Sequence, residues 1–361
     1  MAEPAHNPTP IVEIAGREVG AGRPCFVIAE AGVNHNGDSA LAHQLVDAAR
    51  DAGADAVKFQ MFRADSLVTA EAEKAGYQKA STKSGGAQLD MLRALELDEE
   101  THAALKRHCD EAGLLYLCTP YDEESADALD RLGVAAYKVG STDTANIPFL
   151  RHIAATGRPV ILSTGMSTLE DVEVAMDALG GPGGNGRTVV LHCTSEYPAP
   201  FAESNLRAMA ALVTATGCPV GFSDHTEGPG AAPYAVALGA CCIEKHFTLD
   251  RSMEGPDHQA SLEPDVFREL VREIRIVEAA LGDGIKRVMP SEAANVAHVR
   301  KSVVARVAIS AGTVIRADML AAKRPGTGLE PQWIDRIAGR RAARDIAVDE
   351  QLDQASVNWD E

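Results

Sequence analysis

A closed eight-stranded parallel α/β barrel followed by a small mostly-β domain is the fold class this sequence predicts. Three observations predict it. Eight short apolar runs alternate strictly with amphipathic helical stretches over residues 21–282, which argues a parallel sheet with right-handed crossovers. Eight such units favour closure into a barrel over the alternative, an open doubly wound sheet. Beyond residue 300 the texture changes to short β runs punctuated by Gly and Pro.

In chain order, residues 1–20 read as a flexible, polar N-terminal segment. The predicted strands are CFVIAE (25–30), AVKFQMF (56–62), LLYLCTP (114–120), AAYKVGS (135–141), PVILSTG (159–165), TVVLHCTS (188–195), PVGFSDH (219–225) and CCIEKHF (241–247). Helices are predicted around 39–52, 98–112, 123–132, 147–156, 168–179, 203–216, 229–239 and 264–281. Thr168 followed by Glu170 and Asp171 reads as a helix N-cap with acids in the first turn. A glycine recurs between each helix and the next strand, as at Gly113, Gly133 and Gly217, the C′ position of an α-to-β turn. The stretch 63–97 is a long insertion after the second strand and a candidate lid or substrate-contact loop. GGPGGNG at 180–186 follows a helix and precedes a strand, the wrong order for a phosphate cradle, so it reads as a turn on the far face. Residues 283–300 read as a linker, and 301–361 as the small domain.

Composition narrows the function classes. Of 361 residues 45% are hydrophobic, enough for a large core, and the net charge is −18. That charge argues against nucleic-acid and anionic-membrane partners. An anionic substrate would need a local basic pocket, which screening over roughly 8 Å makes feasible. Seven cysteines without a CxxC pair sit mostly inside apolar runs, the usage of a reducing cytoplasm. Residues 1–10 carry no apolar signal-peptide core, and no apolar run reaches the ~18 residues of a membrane span. The expectation is a cytoplasmic enzyme.

The strand ends carry the chemistry. His225 and His246 end the seventh and eighth strands, beside Ser223, Asp224 and Glu244, with Asp257 in the loop beyond. Each histidine alone suits a structural role. As a pair at matching strand ends with carboxylates nearby, they can hold a divalent metal with positions left open for substrate. Glu30, Asn34 and His35 follow the first strand; Lys58 and Gln60 share a face of the second; Thr119 ends the third. Lys138 and Ser141 belong to the fourth, Ser163 and Thr164 to the fifth, and His192, Thr194, Ser195 and Tyr197 to the sixth. Lysines within strands are rare unless paired. Lys58 and Lys138 could be structural partners of Glu30 or Asp143; with hydroxyls beside them they suit a phosphate. A Schiff-base aldolase is the rival use of a barrel lysine, and the two histidines favour a metal route instead.

IAEAGVNHNG (28–37), DAVKFQMF (55–62), AYKVGSTDTAN (136–146), VILSTGMST (160–168), LHCTSEYP (191–198), FSDHTEG (222–228), IEKHFTLDR (243–251) and GPDHQASLEP (255–264) together resemble the sialic acid synthase family. That family comprises N-acetylneuraminate, legionaminate and pseudaminate synthases; GPDHQASLEP looks more like the first two branches. KSVVARVAISAGTVI and KRPGTG resemble its antifreeze-like (SAF) domain. The resemblance implies a TIM (β/α)8 barrel plus SAF domain. The implied reaction joins phosphoenolpyruvate to an open-chain N-acyl amino sugar and releases phosphate by C–O cleavage. It makes His225 and His246 metal ligands, usually for Mn²⁺, with Mg²⁺ or Co²⁺ as alternatives. Lys58, Lys138, Ser141, Thr119, Ser163 and Ser223 fall where the family contacts phosphoenolpyruvate. Glu30, Tyr197, Glu244 and Asp257 fall where it meets the sugar or directs water. Arg324 matches an arginine sent into the neighbouring subunit's site, which implies a domain-swapped homodimer. The chain departs from the family at Ser195, where some members have asparagine, and at Thr142, where GSG becomes GSTD before the acid Asp143.

Overall fold

The computed structural model describes residues 10–74 and 87–360. They divide into two compact units, Met1–Gly282 and Asp283–Glu361.

The first unit opens with an antiparallel hairpin, β1 (Ile11–Ile14) and β2 (Arg17–Gly20), paired from Ile11↔Gly20 to Ile14↔Arg17. This corrects the reading of 1–20 as flexible, at least from Ile11 onward; residues 1–9 lie outside the described residues. The alternating side chains Val12, Ile14 and Val19 are buried against Phe26, Ile28 and Leu117, so burial of one apolar face orders the hairpin.

Eight parallel strands follow: β3 (Phe26–Gly32), β4 (Ala56–Met61), β5 (Leu115–Pro120), β6 (Tyr137–Val139), β7 (Val160–Ser163), β8 (Thr188–Cys193), β9 (Val220–Asp224) and β10 (Cys242–His246). They pair in sequence order, and β10 returns to β3 to close the barrel. The helices match the expected spans closely, among them Ser39–Asp51, Glu99–Ala112, Glu123–Leu132 and Pro264–Leu281. Thr168 and Asp171 form a reciprocal capping box. Gly113, Gly133 and Gly217 end their helices in the left-handed region.

Period two sorts each strand between two cores. Outward residues such as Val57, Phe59, Leu162 and Ile243 pack under the helices. Inward residues at the strand starts, among them Phe26, Ile28, Ala56, Leu117, Ile161, Leu191 and Cys242, fill the barrel floor with the hairpin. Further along the same inward faces the sequence turns polar: Ile28 is followed by Glu30, Ala56 by Lys58, Ala136 by Lys138, Ile161 by Ser163, Cys242 by Glu244. The site is therefore the polar continuation of the core.

Within the insertion, Ala64–Leu67 and Gln88–Arg93 are short helices. The lid expectation for 75–86 lies outside the described residues. No helix among the described residues is long and apolar enough to cross a membrane.

The second unit begins with a correction. The expected linker 283–300 contains a helix, Pro290–Val299, started by Pro290 with Glu292 accepting from the Met289 N–H. It buries no residue, so it carries no apolar stripe to read from sequence. Strands β11 (Ser302–Ala305) and β12 (Leu320–Lys323) pair antiparallel. Val303, Ile309, Ile315, Leu320, Ile346 and Leu352 build a core of this unit's own. The described part is the small mostly-β domain that Gly and Pro punctuation predicted.

Candidate active site

A cavity of about 740 Å³ opens at the C-terminal ends of the barrel strands. Its lining includes Glu30, Lys58, Gln60, Thr119, Lys138, Ser141, Asp143, Ser163, Ser195, Tyr197, Ser223, His225, Glu244, His246 and Asp257. The barrel residues that the resemblance assigns to metal, phosphoenolpyruvate and sugar are thus brought to one place. Arg324 belongs to the second unit, exposed before a cis peptide bond to Pro325.

The floor is a buried lattice of charge. Lys58 and Lys138 are each 3% exposed. Lys58 Nζ lies 2.6 Å from Glu30 and 3.9 Å from Glu244, and donates to Thr119 Oγ1 at 3.0 Å. Lys138 Nζ lies 3.3 Å from Glu244, so its partner is Glu244 rather than Asp143. Burial by itself would raise the Glu244 carboxyl, but the ammonium groups of Lys138 and Lys58 outweigh it and hold its pKa below the ordinary value. Glu30 goes the other way: burial raises it above the usual carboxylate range despite Lys58. Burial also raises Asp257, to about 6. Glu244 is therefore the carboxylate held ionised, and Glu30 the one suited to carry a proton.

A β-bulge after Glu30 turns β3 at Gly32, whose φ is +53°. A side chain there would come within 3.1 Å of Glu30 Oε1, 3.3 Å of Gln60 Nε2 and 3.6 Å of Asp257 Oδ2. Glycine leaves the space around which these three groups converge. Gln60 donates to Glu30 at 3.2 Å.

On the β6–β8 side lies a ring of small polar groups. Ser141 Oγ accepts from the Gly165 N–H at 2.9 Å and touches Cys193 Sγ at 3.4 Å. Ser195 Oγ is 4.0 Å from the same sulfur. Cys193 and Gly165 were not read as site members from sequence. The inward alternation of Leu191 and Cys193 was the available signal.

His225 and His246 come together, with ring centroids 5.5 Å apart, and Tyr197 lies 4.2 Å from the first ring and 5.5 Å from the second. His225 Nδ1–H donates to the Thr194 carbonyl at 2.7 Å, which turns Nε2 inward beside Ser223. Burial lowers His225 to about 4 and His246 well below its ordinary value, so both imidazoles are neutral. His246 Nδ1 is buried without a hydrogen-bond partner among the described residues. Two neutral imidazoles, one with an orphaned nitrogen, fit a divalent cation. Among the described residues no cluster of three His, Cys, Asp or Glu ligands forms, so such a cation would leave most of its positions to water and substrate.

The other strand-end candidates turn away. Asp224 and Lys245 fall between Ser223 and His225 and between Glu244 and His246, so alternation sends them outward. They form a buried pair at 3.1 Å, with Asp224 also accepting from the Thr226 and Ala232 N–H groups. His192 Nε2 bonds the Ser204 carbonyl, and Asn34 donates to the Phe247 carbonyl and Ser261. His35 is fully buried behind Phe59. These are structural side chains.

The NeuB family profile matches residues 45–286 and the SAF domain profile residues 300–358. The chain is 45% identical to the N,N'-diacetyllegionaminic acid synthase of Campylobacter jejuni, over 91% of this chain and 98% of that protein. Its Legionella pneumophila counterpart is likewise 45% identical, over 91% of this chain and 93% of the relative. Among solved structures, the N-acetylneuraminic acid synthetase of Leptospira borgpetersenii superposes with a TM-score of 0.72 at 32% identity, covering 81% of this chain and 96% of the other. On these matches the chain belongs to the NeuB family of phosphoenolpyruvate-dependent nonulosonic acid synthases and carries a C-terminal SAF domain.

Proposed function

We propose that the barrel condenses phosphoenolpyruvate with an open-chain N-acyl amino sugar, N-acetylmannosamine or 2,4-diacetamido-2,4,6-trideoxymannose. The product is N-acetylneuraminate or N,N'-diacetyllegionaminate, plus phosphate. The observation that supports it best is the buried Lys58–Lys138–Glu244 floor lying between a ring of hydroxyls and a pair of neutral imidazoles.

Two ammonium groups against one firmly ionised carboxylate leave the floor positive, which favours a polyanion despite the −18 of the whole chain. Lys58 and Lys138 neutralise phosphoenolpyruvate, while Thr119, Ser141, Ser163, Ser195 and Ser223 offer hydroxyl donors to its phosphate and carboxylate. Gln60, Asp143, Tyr197 and Asp257 orient the sugar. His225 and His246 would hold a divalent ion, Mn²⁺ by family habit, with Mg²⁺ or Co²⁺ as alternatives. When bound, such an ion supplies Lewis-acid polarisation of the sugar aldehyde.

Bond formation runs from C3 of phosphoenolpyruvate to the aldehyde carbon. The aldehyde oxygen receives the carbonyl electron pair and the proton held on Glu30. Water then adds to the cationic C2, and Glu30, now a carboxylate, takes one of its protons. The C2–O bond breaks with its electron pair leaving on phosphate, which also receives the remaining hydroxyl proton as C2 becomes a ketone. Arg324, carried by the SAF domain of a domain-swapped homodimer, reaches the partner's site and meets the N-acyl group.

The test is phosphate release from phosphoenolpyruvate with MnCl₂ and each sugar in separate reactions, with EDTA controls. Release abolished by EDTA and restored by Mn²⁺ is the expected result. No release with either sugar, in metal-loaded protein, removes this reading.

A further inference from the structure

Opposite the hydroxyl ring, the same cavity has a wall of a different kind. Phe62, Leu67, Val68, Met91, Leu92 and Leu95 line it, and they form an apolar cluster of their own with Val33. Tyr121 joins by an edge-to-face contact with Phe62 at 6.3 Å, and Gln88 stands at the border. The wall is contributed by the segments after β3 and β4. In the closed strand order β10-β3-β4-β5-β6-β7-β8-β9, those strands stand across the barrel from β7 and β8, which present the hydroxyls. The histidines of β9 and β10 lie between the two sides. A substrate pair whose phosphate sits at the β6–β8 ring and whose aldehyde meets the histidines therefore directs the far end of the sugar chain at this wall.

We propose that the wall receives the terminal carbon of the sugar and selects a 6-deoxy sugar over its 6-hydroxy and 6-phosphate counterparts. This rests on the reaction proposed above and names the substrate class it takes. A terminal methyl buries against Phe62, Met91 and Leu95 with no polar group to satisfy. A terminal hydroxyl in the same place gives up its hydrogen bonds to water. A phosphate dianion needs cations, and the lysines lining the cavity among the described residues, Lys58 and Lys138, stand on the floor across from the wall, where phosphoenolpyruvate takes their charge.

The experiment compares N-acetylmannosamine, its 6-deoxy analogue and its 6-phosphate, which differ only at the terminal carbon. Phosphate release is followed in the Mn²⁺-loaded full chain. The 6-deoxy sugar is expected to have the higher kcat/KM, by about 10-fold to 10²-fold over the 6-hydroxy sugar, the range an apolar pocket achieves against an added hydroxyl. The 6-phosphate is expected to give no turnover where the 6-deoxy sugar saturates. Met91→Gln, a near-isosteric polar change at a half-buried position, is expected to bring the 6-deoxy to 6-hydroxy ratio close to one. Equal or reversed preference in the unaltered protein, or turnover of the 6-phosphate, overturns the proposal. If none of the sugars releases phosphate, the reaction reading falls. Calorimetric titration then decides the wall separately: tighter binding of the 6-deoxy sugar upholds it, and equal binding overturns it.

Discussion

At the scale of single residues, the site is governed by which carboxylate each lysine faces. Glu244 lies near both Lys58 and Lys138 and stays ionised, while Glu30 answers to Lys58 and rises. Lys58→Met is therefore expected to lower kcat/KM for phosphoenolpyruvate by at least about 10² to 10³, measured by phosphate release with the fold checked by circular dichroism. Gly165→Ala tests the hydroxyl ring. Its Cβ would sit 2.2 Å from Ser195 Oγ and 2.8 Å from Ser141 Oγ. Both hydroxyls must shift, and KM for phosphoenolpyruvate should rise on the order of 10-fold to 10²-fold. The residue types and their strand-end positions were legible in the sequence. The partner of Lys138 was not: Asp143 is five residues away and Glu244 more than a hundred, yet barrel closure brings Glu244 to it.

At the scale of elements, the inward face of each strand is read in two halves, apolar below and polar above. The hairpin β1–β2 belongs to the lower half. Ile14 is fully buried in the floor cluster, and Ile14→Ala should cost about 2–5 kcal/mol by urea denaturation. The hairpin's alternation, IVEI and REVG around Ala15-Gly16, stood in the sequence. What could not be read there was the surface its apolar face covers, so the segment passed for a flexible leader. The helix Pro290–Val299 escaped for the opposite reason, since it has no buried face to imprint a period.

At the scale of the whole molecule, pH acts through buried neutral imidazoles. Burial lowers His35 and His102 from 6.5 to about 4. Between those values the unfolded chain binds protons that the folded chain does not. Stability is thus complete above pH 6.5 and falls as pH drops toward 4, by ~1.4 kcal/mol per pH unit for each imidazole. Urea midpoints at pH 7.5 and 5 should show this loss, and His102→Gln should reduce it by about one proton's share. The proposed subunit exchange is tested by mixing Arg324→Ala with His246→Ala. Each variant alone is expected to be inactive. Random pairing of co-unfolded chains should restore roughly a quarter of the sites, and no recovery in verified mixed dimers would exclude a shared site.

The sequence by itself determined the order of strands and helices, the polar character of the barrel mouth and the pairing of two histidines at neighbouring strand ends. These follow from local periodicity and from which residues terminate each apolar run, properties that a single segment carries. Only the tertiary structure decided that Lys138 answers to Glu244, that Gly32 and Gly165 leave room in the cavity, and that Phe62, Met91 and Leu95 form its apolar wall. Those features arise where separate segments meet around a closed barrel, and no period within one segment encodes which segment will stand opposite.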